Sequence, residues 1–213
     1  MINIMIADDH KLVREGLKKL LEFEGDMKVI EEADNGKDCL AKVKIAKPQV
    51  LLLDINMPIM SGLEVIPRLR RKRSKMKVLV LTVHNEIEYL LKAVDLGVDG
   101  YILKDADSID LRKAIMTLME GKKYIQPTLI PLLNSKLIAR DMDKEKIERL
   151  SDRENMVLQL VASGTPNKDI GSRLEISERT VKNHLTSIFK KIEVSDRTQA
   201  TLFAVRNNLV DVR

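Results

Sequence analysis

Tryptophan is absent from the 213-residue sequence, aromatic residues make up only 3%, and cysteine occurs once, at Cys39. A lone cysteine excludes an internal disulfide and fits a reducing compartment. With so few aromatics, aliphatic side chains and ten methionines must fill the cores. Long apolar runs are missing as well. Residues 50–53 and 78–81 are strand-sized, far short of the ~20 residues that cross a bilayer. The opening MINIMIADDH meets acidic residues at once, with no basic stretch before an apolar segment, so it does not read as a signal peptide. The expectation is a cytoplasmic protein with no membrane attachment.

Charge is plentiful but uneven. The net charge is +5, yet residues 1–120 hold 20 Lys/Arg against 20 Asp/Glu and balance. The excess falls in residues 121–147, with 6 against 3, and in residues 148–213, with 11 against 9. A basic surplus confined to the later part of the chain hints at a polyanionic partner.

The first 120 residues alternate short apolar runs with helical patterns. INIMIA (2–7), KVIEEA (28–33), VLLLD (50–54), KVLVLT (77–82) and GYILK (100–104) read as strands, several of them apolar throughout, as strands buried on both faces are. Helical spacing falls near 11–23, 37–46, 62–72, 86–96 and 108–120. Five β-then-α units predict an α/β doubly wound, five-stranded parallel sheet over residues 1–120. Residues 121–147, with two prolines and then alternating charges, read as a linker with a short helix near 129–140. From 148 to 213 the pattern is all-α, with four candidate helices at 152–162, 167–174, 178–192 and 197–207.

In an open parallel sheet, function gathers at the carboxyl ends of the strands. Asp8 and Asp9 end the first strand, Asp54 the third, Thr82 the fourth and Lys104 the fifth. Singly, each has an ordinary explanation: a helix cap, a strand threonine, a solvated lysine. Together they fit one chemistry. Converging carboxylates repel unless a cation neutralises them, and hard oxygen donors suit Mg²⁺. A carboxylate there can accept a phosphoryl group, while a hydroxyl and an ammonium bind the phosphoryl oxygens.

The segments ADDH, LLLDINMPIMSGLE, LTVH and GYILKD resemble the motifs of response-regulator receiver domains of two-component signalling, with the flavodoxin-like fold, across essentially all of residues 1–120. The resemblance implies Asp54 as phosphoacceptor, with Mg²⁺ held by Asp8, Asp9, Asp54 and the backbone carbonyl of Asn56. It implies Thr82 and Lys104 on the phosphoryl group, and Tyr101 as an aromatic switch that turns inward with Thr82. The sequence departs from the pattern in three places. Asp105 follows Lys104 where many receivers have proline, so the usual cis peptide is not expected. Val83 is bulkier than the frequent Ala or Ser and could crowd the phosphoryl group. His84 and Asn56 stand two residues beyond Thr82 and Asp54, where side chains influence attack by water.

In the later region, Val181, Leu185, Ile188, Phe189 and Ile192 share one helical face, with Ser177 as a candidate N-cap. The other side presents Arg179, Lys182, Asn183, Thr186 and Lys190, with no acid after Glu178 to form the i, i+4 pairs of a merely solvated helix. With NKDIGSRLE before it, the segment reads as a helix-turn-helix whose second helix enters the major groove. The stretch from LSDRE to FAV resembles the LuxR-type DNA-binding domain of NarL/FixJ-class response regulators, most specifically in NKDI, ISERTVKNH and DRTQA. That resemblance implies Lys182, Asn183 and Thr186 facing bases, with Arg179, Lys190 and Lys168 on phosphates or flanks. Gly171 stands where Ala is usual.

The leading expectation is therefore a transcriptional regulator switched by phosphorylation, not an enzyme beyond phosphoryl acceptance and slow self-dephosphorylation. Its implied partners are a sensor histidine kinase, promoter double-stranded DNA and a second copy of the chain, with RNA polymerase as a further candidate. Two alternatives stay open. A Mg²⁺-dependent phosphatase of the haloacid-dehalogenase type could use similar carboxylates, though it would place D-x-D at the first strand rather than DD. A DNA-binding protein with a silent receiver is the other.

Overall fold

The computed structural model describes residues 1–71, 75–83 and 86–210. The chain divides into two compact units, the first comprising residues 1–134 and the second starting at residue 135.

The first unit carries the strands β1 (Ile2–Ala7), β2 (Met27–Ala33), β3 (Val50–Leu53), β4 (Lys77–Thr82), β5 (Gly100–Leu103) and β6 (Tyr124–Ile125). All pair in parallel, in the order β2-β1-β3-β4-β5-β6. Helices α1 (Lys11–Glu22), α2 (Gly36–Ala46), α3 (Gly62–Arg70), α4 (Ile87–Asp95) and α5 (Ser108–Met119) separate the strands. The continuous apolar runs behave as their composition predicts: every residue of β3 is buried, because helices cover both faces of the sheet. One core joins Ile4, Ile6, Leu52, Leu79 and Ile102 to Leu111, Ile115 and Leu118 of α5. Each such aliphatic side chain stabilises the unit by roughly 1.5–3 kcal/mol. Asn35 and Asp107 start α2 and α5 by accepting hydrogen bonds from the backbone N–H groups of Asp38 and Asp110. Cys39 is fully buried on α2, where burial and then the Asp38 charge push its thiol up to about 12.

The region expected as a linker is ordered. Tyr124 and Ile125 add the sixth strand alongside Gly100 and Tyr101. Gln126 secures this edge, donating its N–H to Tyr101 O at 3.0 Å and accepting the Leu103 N–H at 2.8 Å. After a 3₁₀ turn at Pro127–Leu129, α6 runs over Ile130–Glu148, longer than the short helix expected. Its far end is fixed by side chains remote in sequence. Asp143 is buried and accepts from Arg206 and Asn207, and Lys146 pairs with Glu193 at 2.8 Å.

The second unit is helical: α7 (Asp152–Ala162), α8 (Asn167–Leu174), α9 (Glu178–Ile192) and α10 (Arg197–Arg206) follow α6. Val181, Leu185, Ile188 and Ile192 of α9 are buried as their spacing predicts, against Val157, Leu158 and Val161 of α7 and Phe203 of α10. Arg197 ties the start of α10 to the start of α8, donating to Asn167 Oδ1 at 2.9 Å and Thr165 O at 2.6 Å. No helix among the described residues is long and apolar enough to cross a membrane.

Candidate functional site

The strand order changes direction between β1 and β3, and the crevice at such a switch point is where open α/β sheets bind ligands. Asp8 and Asp9 leave β1 there and Asp54 leaves β3. Asp8 and Asp54 are 2% and 4% exposed, whereas Asp9 and the neighbouring His10 face solvent. Ligand atoms of Asp8, Asp9, His10 and Asp54 all lie within 4.8 Å of one another. Three carboxylates at one point supply the oxygen donors a hard divalent cation takes, so the residues present fit Mg²⁺.

Lys104 enters this cluster from the end of β5. Its ammonium lies 2.6 Å from Asp8 Oδ2 and 2.8 Å from Asp54 Oδ2. The other Asp54 oxygen accepts the Ile55 N–H at 2.7 Å. Burial raises the Asp54 pKa, even though Lys104 and Ile55 oppose the shift. For Lys104 the balance goes the other way: burial lowers its pKa, but hydrogen bonds to the two carboxylates outweigh this and raise it. The ammonium therefore stays charged and holds together two acids that would repel. Thr82 is fully buried at the end of β4, and its carbonyl accepts the Lys104 N–H at 2.8 Å. Asn56 is exposed in the loop after β3.

Close packing sets that loop. A Cβ on Gly62 would stand 2.1 Å from Asp54 O, so α3 can start this near the acidic cluster only with glycine. Ile59 holds φ +69, with the Met60 N–H donating to Pro58 O at 2.7 Å. That is the rare, strained hand of a γ-turn, unusual for a β-branched residue.

Tyr101 is already completely buried, so the inward position is the one this structure has. Burial, then the charges of Glu86, Tyr89 and Asp54, raise its hydroxyl pKa. Val83 stands in solvent, 69% exposed. His84 lies outside the described residues. No cis peptide occurs among the described residues, as the Lys104–Asp105 sequence implies.

Sequence reasoning missed two neighbours of the cluster. His10 Nδ1 is 2.8 Å from Asp9 Oδ1. Arg14 donates to Asp8 O at 2.7 Å and to Glu32 Oε2 at 3.1 Å, fixing the end of β1. The i, i+6 spacing from Asp8 to Arg14 carries no pattern that periodicity detects.

In the helical unit, the turn between α8 and α9 closes as Glu175 takes a left-handed conformation (φ 55) and the Ile176 N–H donates to Gly171 O at 2.9 Å. A Cβ on Gly171 would come within 2.7 Å of Ile176 O, which gives the glycine a reason: it lets the turn close tightly over α8. Ser177 caps α9, accepting the Thr180 N–H at 3.0 Å. Arg179, Lys182, Asn183, Thr186 and Lys190 of α9 are exposed, and so is Lys168 of α8. One expectation is corrected here. The basic face is not free of ion pairs, because Lys182 pairs with Glu178 at 2.9 Å across one turn of the helix. Thr186 spends its hydroxyl proton on Lys182 O at 3.1 Å.

The face opposite Lys182 is pinned by an acid that helix-face reasoning passed over. Glu154 of α7 is 5% exposed and accepts from Ser187 Oγ and Lys191 Nζ, both at 2.6 Å, and from the Ser151 N–H at 2.8 Å. Burial alone would raise its pKa, but the hydrogen bonds from Lys191, Ser187 and Ser151 win and lower it to about 2. The S-x-x-E spacing of Ser151 and Glu154 was the available signal, since it marks a capping box.

The first unit thus holds an acidic crevice at its switch point, and the second a capped helix-turn-helix. Residues 4–116 match the family described as "Response regulator receiver domain", and residues 148–204 match "Bacterial regulatory proteins, luxR family". The transcriptional regulatory protein DegU of Brevibacillus brevis is 36% identical over all of this chain and 96% of its own. The response regulator protein VraR of Staphylococcus aureus is 34% identical over 98% of this chain and 99% of its own. A structure of two RcsB dimers bound to two parallel DNAs aligns over 97% of this chain and 98% of the RcsB chain, with 30% identity and a TM-score of 0.60. The chain belongs to the two-component response regulators that join a receiver domain to a LuxR-type helix-turn-helix.

Proposed function

We propose that Asp54 accepts a phosphoryl group from the phosphohistidine of a sensor kinase and that this transfer controls promoter binding by α9. The observation that carries the reading is Asp54 itself: buried, one oxygen held by the Ile55 N–H and the other by Lys104, beside Asp8. In the transfer, a carboxylate oxygen of Asp54 attacks phosphorus, the P–O bond forms, and the P–N bond to histidine breaks, leaving the imidazole as leaving group. Lys104 turns from balancing two carboxylates to binding a phosphoryl oxygen, with Thr82 as the neighbouring hydroxyl. Asp8, Asp9, Asp54 and the Asn56 carbonyl would hold Mg²⁺, which when bound offsets the charge on the phosphoryl oxygens. The added charge draws Thr82 toward the site. Tyr101, already inward, is held there by that shift.

On the DNA side, Lys182, Asn183 and Thr186 face bases, while Arg179, Lys190 and Lys168 hold the backbone. To reach a base, Lys182 leaves Glu178. The RcsB structure supports binding as a dimer on paired half-sites. The chain works in the cytoplasm with promoter DNA. Its chemistry is acceptance of one phosphoryl group and slow loss of that group to water, not turnover of a substrate.

Incubating the protein with a small-molecule phosphodonor and Mg²⁺ should add one phosphoryl mass, raise promoter affinity and shift the oligomeric state. Asp54→Asn should gain nothing, and a phosphorylated Asp54→Asn protein would exclude the proposed acceptor. Affinity should fall steeply with salt, and Arg179→Gln or Lys190→Gln should each lower the log–log slope by about 0.9.

A further inference from the structure

A cavity of about 400 Å³ opens between α2 and α3. Its walls are apolar: Leu40 and Val43 from α2, Leu69 from α3, and Met76 from the approach to β4. The buried Pro48, just before β3, closes the floor. The cavity sits at the amino ends of β3 and β4, whereas Asp54 and Thr82 stand at their carboxyl ends. It is therefore separated from the acidic crevice by the length of the sheet and belongs to no part of the phosphoryl chemistry.

Every charged residue lining this cavity is a cation. Lys44, Lys47 and Arg68 are all exposed, and among the described residues no carboxylate lines it. Lys44 and Lys47 make no ion pair among the described residues, and Arg68 spends one guanidinium N–H on its own helix, at Glu64 O. Lys47 is held by a left-handed cap (φ 48), with its N–H donating to Val43 O at 3.1 Å. Elsewhere in this unit, lysines and arginines near α2 and α3 do find acids: Lys42 pairs with Asp38 at 2.8 Å and Arg70 with Asp99. Three cations ring an apolar cavity, with Glu64 acting on Arg68 alone and no ion pair at Lys44 or Lys47 among the described residues, and they match an anion that carries an apolar body. The volume falls in the range of small-ligand pockets, which combine apolar walls with a few polar groups that fix orientation.

We propose that this cavity binds a small anionic amphiphile, with its apolar body against Val43, Leu69 and Met76 and its carboxylate, sulfonate or phosphate at Lys44, Lys47 and Arg68. Because the two sites lie at opposite ends of the sheet, such a ligand and a phosphoryl group on Asp54 can be present together.

The test titrates the full chain with 1-anilinonaphthalene-8-sulfonate and, in parallel, with N-phenyl-1-naphthylamine, which has the same rings without the anion. Binding is followed by fluorescence and located by amide chemical-shift mapping. One saturable site is expected, with shifts centred on residues 40–48, 68–69 and 76, and with the sulfonate bound about tenfold more tightly than the neutral amine, as three exposed charge contacts allow. The triple variant Lys44→Gln, Lys47→Asn, Arg68→Gln changes only exposed positions, and it should bring the sulfonate down to the affinity of the amine. Val43→Phe, which fills the cavity, should weaken both probes. Equal affinity for the two probes, an unmoved affinity in the triple variant, or shifts centred outside these residues would each overturn the proposal.

Discussion

Asp54 and Glu154 are both buried carboxylates, and their surroundings push them in opposite directions. Asp54 has its pKa raised, and shares its one ammonium, Lys104, with Asp8. Glu154 has its pKa lowered to about 2, and has Lys191, Ser187 and Ser151 to itself. In the receiver unit the buried carboxylate has one donor on each oxygen, shares its ammonium with Asp8, and lies next to two further acids. In the helical unit the buried charge is fully answered from within the chain. In the proposed function, the first arrangement is the one that receives a cation and a phosphoryl group. The second serves to fix the angle of α9. A buried carboxylate whose cation is shared with a second acid is a better candidate for a reactive site than one whose donors are its own.

The sharpest way to break this contrast is Glu154→Ala. It strands an ammonium, a hydroxyl and a capping N–H around an empty site, and should lower the stability of the helical unit by about 3 kcal/mol in denaturant titrations. The same carboxylate sets an acid limit. Its folded pKa lies below the usual glutamate value of 4.5, so its contribution is complete above pH 4.5 and drains away as pH falls from there toward about 2. Circular dichroism across that range should follow the loss, and Glu154→Gln should flatten it. In the receiver, Gly62→Ala forces a Cβ against the carbonyl of Asp54 and should cost about 2 kcal/mol while slowing phosphoryl uptake, read by mass spectrometry.

Smaller effects sharpen the comparison. Gly171→Ala gains roughly 1 kcal/mol of helix propensity but crowds Ile176 O. The two should nearly cancel in stability, whereas the shifted turn should weaken promoter binding several-fold. Val83→Ala addresses the crowding of the phosphoryl group. Since Val83 stands mainly in solvent, the half-life of the phosphorylated protein should shorten by only about twofold, under 1 kcal/mol in barrier. An unchanged half-life would remove Val83 from any role there.

Much of the fold was readable because the signals were local. Runs such as VLLL, short and bounded by turn residues, read as strands buried on both faces, and the α9 stripe from Val181 to Ile192 falls at helical spacing. Strand β6 was not readable: two residues carry no period, and it exists because Gln126 finds Tyr101 O and the Leu103 N–H across the sheet. Helix α6 resembled a linker because its apolar residues form no stripe. Ile138 and Met142 are exposed while Asp143 is buried, an inversion that makes sense only with Arg206 and Asn207 in place. The acidic cluster was readable from residue types at strand ends. Lys104 bridging Asp8 and Asp54 was not, since its partners lie 50 and more positions away.

Cys39 has one more consequence. With its thiol buried and its pKa pushed up to about 12, Cys39 offers thiol-directed reagents little accessible thiolate. A disulfide between two copies through Cys39 would require α2 to open first. A cysteine introduced at any surface position becomes the sole labelling handle, so spectroscopic probes can be placed on α9 or at the mouth of the α2–α3 cavity without first removing a native thiol.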